Sequence, residues 1–211
     1  MTNPDLTLIA ALLDRSGSMQ SSKRATRDGW REFINTQRDK PGKCQVTLAQ
    51  FDHRYEVVYS ECDIATLDSE LTLVPRGNTA MLDAIGRFVT EIGQTLAERS
   101  EEQRPGLVIC LIMTDGWENA SREWSWEQVR ELITQQRDAY GWQFMFIGAN
   151  IDAVEVGMKM GIARGQSITY DCDNYDANVG TFAVASAAVD NLRMGNAADF
   201  TDEDRRRTMG K

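Results

Sequence analysis

Two hydrophobic periods alternate along the chain. Leu6 to Leu13 is an unbroken apolar run, LTLIAALL, the length of a strand buried on both faces. It stops at Asp14-Arg15-Ser16-Gly17-Ser18. From Ser21 to Gln37 the spacing changes to helical. Ala25, Gly29, Trp30, Phe33 and Ile34 form one stripe, with arginines, a lysine and acids between them, and Pro41-Gly42 ends the helix. Gln45 to Phe51 alternates, and Tyr55 to Tyr59 follows after a very short connection. Strands that close form a hairpin, because a parallel pairing needs a long crossover. Gly77-Asn78-Thr79 opens a second long helix, striped by Leu82, Ile85, Phe88, Val89, Ile92 and Leu96. Leu107 to Met113, LVICLIM, reads as the central strand and runs into Thr114-Asp115-Gly116. Ser125 and Gln128 form a capping-box pattern for the next helix. Trp142 to Ile147 is a strand, Asp152 with Glu155 caps a shorter helix through Met160, Ser167 to Tyr170 is a brief strand, and Val179 to Leu192 is a last helix. Thr201 with Asp204 caps a tail turn whose Arg205, Arg206 and Arg207 are expected to face solvent.

This order predicts an α/β fold: a three-layer, doubly wound domain on a mostly parallel six-stranded sheet with one antiparallel edge strand. The 211 residues suit one domain over 1–195, with 196–211 expected as a C-terminal tail, a short helix or partly disordered. Composition then narrows the function. A net charge of -9 opposes a long phosphate track, so no nucleic-acid partner is expected. No apolar run nears the roughly 20 residues that span a bilayer, and the N-terminus has no basic flank of a signal peptide. Cys44, Cys62, Cys110 and Cys172 contain no Cys-x-x-Cys pair and read as reduced thiols. These features predict a cytoplasmic protein without a membrane partner. The single histidine, His53, sits in a tight strand connection. A Ser-His-Asp triad built elsewhere and a histidine-rich zinc site are thereby excluded.

Ligands of doubly wound sheets bind beyond the carboxyl ends of the strands. Asp14 and Asp115 both follow buried strands, so both are expected on that edge. Asp14, Ser16 and Ser18 alternate across one loop, Thr79 adds a hydroxyl at a helix start, and Asp115 adds a second carboxylate. Hard oxygen ligands of this kind suit Mg²⁺, Mn²⁺ or Ca²⁺ and suit zinc poorly. Taken singly, Ser16, Ser18 and Thr79 read as helix caps and Asp115-Gly116 as a turn. Their occurrence on loops in strand-helix order points instead to one site.

The chain resembles the von Willebrand factor type A domain, also called the integrin I-like domain. Asp14-Arg15-Ser16-Gly17-Ser18 matches that family's Asp-x-Ser-x-Ser loop. Gly77-Asn78-Thr79 with Leu82 and Ala84-Ile85 looks like its threonine loop. Leu111-Ile112-Met113-Thr114-Asp115-Gly116 with Asn119 looks like its aspartate loop. The resemblance covers Leu6 to Gly161 and extends toward Leu192. It implies a metal-ion-dependent adhesion site in which Ser16, Ser18 and Thr79 bind Mg²⁺ (or Mn²⁺ or Ca²⁺), directly or through water, and Asp14 and Asp115 balance its charge. It also implies a partner protein whose Glu or Asp completes the metal's coordination. Arg15, Arg76, Met81, Trp117 and Glu118 on the same loops are expected to contact that partner. The stretch from Phe146 to Ala153 looks similar to stand-alone cytoplasmic bacterial and phage members, which by family analogy work beside AAA+ ATPases or in stress and phage assemblies. The expectation is thus a binding module and not an enzyme. A haloacid-dehalogenase-like phosphate hydrolase is the enzymatic alternative, but it needs a second Asp where Ser16 stands. A ribonucleoprotein-associated binding domain is the third class, resting on Lys23, Arg24, Arg27 and Arg31. Asp171, Asp173 and Asp176 with Asn174 and Asn178 read as a polar loop capping the last helix.

Overall fold

The computed structural model describes residues 1–211. Its strands are β1 (Asn3–Asp14), β2 (Lys43–Phe51), β3 (Tyr55–Asp63), β4 (Pro105–Thr114), β5 (Gln143–Ala149) and β6 (Ser167–Tyr170). Its helices are α1 (Lys23–Arg38), α2 (Met81–Glu98), α3 (Trp126–Tyr140), α4 (Ala153–Lys159), α5 (Tyr175–Arg193) and α6 (Asp202–Thr208). One six-stranded sheet runs in the order β3-β2-β1-β4-β5-β6. Only the β2–β3 pair is antiparallel, and it places β3 at an edge. The doubly wound, mostly parallel sheet expected from the sequence is the one observed.

Strand alternation divides the two cores. Ile9, Ala11 and Leu13 of β1 face a layer holding Trp30, Phe33 and Ile34 of α1 and Phe182, Ala185 and Val189 of α5. Leu8, Ala10 and Leu12 face the opposite layer, with Ile85, Phe88 and Val89 of α2, Val129 and Ile133 of α3 and Val156 of α4. Because β1 and β4 are covered on both faces, their sequences are continuous apolar runs and not alternating ones.

Helices α1 and α5 run parallel. The Tyr175 hydroxyl donates to Asp28 at 2.8 Å near one end, and the Gln37 amide donates to Ser186 Oγ at 2.9 Å near the other. Between them Gly29 lies against the Phe182 ring, which a Cβ at position 29 would overlap. Gly180 on α5 has no such neighbour; the only atom near its would-be Cβ is Arg207 Nε at 3.7 Å. Opposite effects are therefore expected from the same substitution. Gly180→Ala gains helix propensity of about 1 kcal/mol. Gly29→Ala loses about 1–3 kcal/mol to overpacking, which outweighs that gain. Urea midpoints of the two variants on either side of wild type are the check; Gly29→Ala at or above wild type would contradict this packing.

The sequence locates the capping signals well. Ser125 with Gln128 forms a full capping box, Asp152 accepts from the Glu155 amide at 2.9 Å, and Thr201 with Asp204 forms a second box. α5 starts earlier than its apolar stripe implies. Asn174 Oδ1 accepts from the Ala177 amide at 3.1 Å, so the polar stretch before Val179 is the helix's capped first turn. The segment after 195 carries the short helix α6, which packs on β6 and α5. Thr208 Oγ1 donates to the Thr169 carbonyl at 2.8 Å, and the Asp171 amide donates to the Thr208 carbonyl at 2.9 Å. Arg205, expected to face solvent, donates instead to the Ser167 carbonyl at 3.0 Å, while Arg206 and Arg207 are exposed. The reason is that β6 is an edge strand whose outer main-chain groups need partners. All four cysteines are free. No helix is long and apolar enough to cross a membrane.

Candidate functional site

Three loops meet at the carboxyl edge of the sheet, after β1, before α2 and after β4. The main chain joins them. The Arg76 amide donates to the Arg15 carbonyl at 2.8 Å, Gly17 to Gly77 at 3.1 Å, and Asn119 to Thr79 at 3.0 Å. Asn119 Oδ1 accepts from the Thr79 amide in return, at 3.0 Å. Gly77 sits at φ +68°, and a Cβ there would overlap the His53 imidazole, so glycine is required for this approach.

Asp14 is fully buried. Its Oδ1 accepts from the Ser16 amide and its Oδ2 from Thr114 Oγ1, both at 2.6 Å. Ser16 Oγ and Ser18 Oγ lie 3.0 Å apart, and Ser18 Oγ donates to Asp115 Oδ1 at 2.5 Å. A Cβ built on Gly116 would sit 3.4 Å from Ser18 Oγ and 3.5 Å from Thr79 Oγ1, so both hydroxyls flank the Asp115 loop. None of these hydroxyls caps a helix. The N-cap residues of the short 3-10 helix Gly17–Gln20, of α1 and of α2 make no side-chain cap bond.

The electrostatics of this cluster are unbalanced. Burial pushes the Asp115 carboxyl up to about 6; the Ser18 bond opposes the shift and the Asp14 charge adds to it. Burial also raises Asp14, against the bonds from Thr114 and Ser16. Asp115 Oδ2 is buried without any hydrogen-bond partner. Nowhere in the chain do three or more His, Cys, Asp or Glu side chains gather as metal ligands. The cluster holds two carboxylates and three hydroxyls, a donor set for a hard cation and not for a soft one. An orphaned carboxylate oxygen beside a second buried carboxylate is the environment that a divalent cation stabilises.

The five residues expected at the partner surface separate into two groups. Arg15 is only 6% exposed, with its Nε 3.2 Å from Asp52 Oδ2 and its Nη1 2.8 Å from Glu56. Met81 is buried in the α2 core layer. Glu118 accepts from the amides of Leu82 (2.9 Å), Ala120 (2.9 Å) and Ser121 (2.8 Å), so it holds its own loop together. In this structure these three face inward, unlike the expectation. Trp117, 60% exposed, and Arg76, about half exposed, face outward. Arg15 turns inward because Asp52 is fully buried and needs cations. Arg76 Nε also donates to Asp52, at 2.8 Å, and His53 Nδ1 lies 3.2 Å away. Sequence reasoning missed Asp52, although it follows β2 at the same sheet edge, which was the available signal. It also gave no role to Thr114 or Asn150. The Asp171 loop is used locally: Asp171 Oδ1 accepts from the Asp173 amide (3.0 Å) and the Asn174 amide (3.3 Å) ahead of α5.

No protein-family model and no curated protein matches the sequence. Solved structures do match the fold. A von Willebrand factor type A protein from Catenulispora acidiphila superposes with a TM-score of 0.62 at 15% identity, covering 89% of this chain and 42% of its own. Proximal thread matrix protein 1 from the mussel byssus, with a zinc-occupied MIDAS motif, gives 0.58 at 16%, covering 96% and 50%. The pilus adhesin SpaC from Lactobacillus rhamnosus GG gives 0.61 at 13%, covering 90% and 31%. This chain spans half or less of the length of each. Identities this low establish a shared fold and nothing further. The fold is a von Willebrand factor A-like, Rossmann-like α/β arrangement.

Proposed function

We propose that the protein is a divalent-metal-dependent protein-binding module, in which Mg²⁺ or Mn²⁺ bridges to an acidic residue of a partner protein. One observation carries this reading. Two buried carboxylates meet hydroxyls that cap no helix, and Asp115 Oδ2 has no partner of its own. Ser16, Ser18 and Thr79 would hold the cation, with Asp14 and Asp115 in contact directly or through water. The metal, when bound, supplies positive charge to a partner carboxylate at the sheet edge. The chain's own residues do the rest. Thr114 and the Ser16 amide fix the Asp14 carboxylate, and Ser18 orients Asp115. Trp117 offers rigid apolar contact area beside the site, and Arg76 a cation at its rim.

The mussel relative of this fold is described with zinc in its MIDAS motif; the all-oxygen donor set here favours harder ions. In our reading the protein works without catalysis in a bacterial or phage-associated cytoplasmic setting, where free thiols persist. An AAA+ ATPase or a stress or phage assembly is the partner class, and the docked α6 belongs to the same domain. The test is retention of cellular proteins on immobilised wild type and Thr79→Ala, each in Mg²⁺ and in EDTA. The expected result is a partner kept only by wild type in Mg²⁺. A set of bound proteins indifferent to both changes would overturn the metal-bridge mechanism.

A further inference from the structure

Asn150 lies outside the oxygen cluster, at the end of β5. It is one of two non-glycine residues with positive φ, at 58°, a conformation that asparagine tolerates better than most residues. Its side-chain amide donates to the Asp115 main-chain carbonyl and to Cys172 Sγ, each at 3.2 Å. The orientation of that amide follows from chemistry, because a carbonyl only accepts, so the end facing Asp115 must be the NH₂. One side chain therefore ties together the segments following β4, β5 and β6. The left-handed backbone is what turns a residue at the end of β5 back across the edge toward β4.

The consequence falls on Asp115. Its carboxylate is oriented by Ser18 from one side, and Asn119 links its loop to Thr79 from another. Neither bond holds the Asp115 peptide itself. Asn150 holds it at the carbonyl, while the Gly116 amide at the other end of the same peptide donates to Thr114 Oγ1 at 3.3 Å, and the peptide plane sets the direction in which the carboxylate leaves the chain. We propose that Asn150 is a positioning residue for the metal site, its amide fixing the Asp115 peptide and so the carboxylate that meets the cation. This rests on the metal reading above. Groups that orient metal ligands without touching the metal are worth about 10–100-fold in affinity.

Asn150→Gly separates the amide from the backbone. Glycine adopts the same φ without strain and keeps the turn, but has no side-chain donor. Mn²⁺ affinity is measured by calorimetry, and the bound-ion environment by the Mn²⁺ paramagnetic resonance spectrum, with melting in EDTA as the control for folding. The expected result is affinity about 10–100-fold weaker and an altered spectrum, with melting close to wild type. Wild-type affinity and spectrum in the glycine variant would overturn the proposal. Hydrogen exchange of the Asp115–Trp117 amides without metal keeps the two readings apart. If wild type binds no Mn²⁺, the metal reading fails. Faster exchange in the variant would then still support the positioning of the Asp115 peptide, and unchanged exchange would overturn that too.

Discussion

Asp115→Ala is expected to abolish the proposed Mn²⁺ binding while leaving the metal-free protein about as stable as wild type. The two halves of this result have one cause. Asp115 is buried beside Asp14, its Oδ2 has no partner, and its carboxyl is pushed up to about 6 by burial. In the metal-free fold the charged group costs free energy, so its deletion removes a penalty that roughly offsets the loss of the Ser18 bond, worth about 1.5–3 kcal/mol as a bond to a charged group. With metal present, the same carboxylate is half of the site's negative charge, and no neighbouring acid can replace it. Thr79→Ala is the milder companion. It removes one neutral oxygen that caps no helix, and is expected to weaken Mn²⁺ by about 10-fold, near 1.4 kcal/mol. Calorimetry with Mn²⁺ and thermal melts in EDTA read both quantities. Wild-type-like Mn²⁺ affinity in Asp115→Ala would place the metal elsewhere or nowhere. A collapse of metal-free stability would show that Asp115 serves the fold instead.

Asp52→Asn is expected to destabilise the fold by about 3 kcal/mol at neutral pH, the low end of the range for breaking a buried ion pair. Asp52 is fully buried and faces Arg76, Arg15 and His53. Asparagine keeps the shape and can still accept from the Arg54 amide, which donates to Asp52 at 2.7 Å. It leaves the buried Arg15 guanidinium with only the exposed Glu56 as a charge partner. Burial alone would raise the Asp52 pKa. The Arg76 bond, the Arg54 amide and the Arg15 charge outweigh it and hold the carboxyl below the ordinary 3.8. The sign follows from linkage: a depressed native pKa gives stability that is fully present above 3.8 and is lost as pH falls through the native value. Urea unfolding at pH 7 should therefore separate the variant widely from wild type, and the gap should narrow below pH 3.8. Equal stability at pH 7 would mean that the cluster contributes nothing. The Arg15 carbonyl accepts from the Arg76 amide and the Asp52 carbonyl from the Ala80 amide. The variant should therefore also loosen the loop that presents Thr79.

The elements were legible because they are set by near neighbours in the chain. LTLIAALL and LVICLIM have no polar face and so become the two strands covered on both sides. The three-to-four spacing of Trp30, Phe33 and Ile34 makes α1 amphipathic, and Ser125 with Gln128 satisfies the first amides of α3 by contacts within one turn. The short link between Phe51 and Tyr55 forces a hairpin, which settles the one antiparallel pair. Strand-helix order then fixes which edge carries the loops, and so Asp14, Ser16, Ser18, Thr79 and Asp115 could be placed together from their positions alone.

What the sequence by itself determined is thus the layered α/β fold and the company of oxygen-bearing residues at one edge of the sheet. The directions of loop side chains were decided only by tertiary structure, because each depends on a charge or void contributed from far along the chain. Arg15 is adjacent to the site in sequence, yet it turns inward to a buried aspartate 37 residues away. Met81 fills the layer between α2 and the sheet, and Glu118 closes on amides of α2 and its own loop. Arg205 finds a carbonyl of an edge strand that no local pattern reveals. Asn150 reaches Asp115 and Cys172 only because β4, β5 and β6 end side by side. Periodicity encodes which face of an element is buried. It carries no information about which distant group must satisfy a buried charge or hydrogen bond, and that requirement directs each of these side chains.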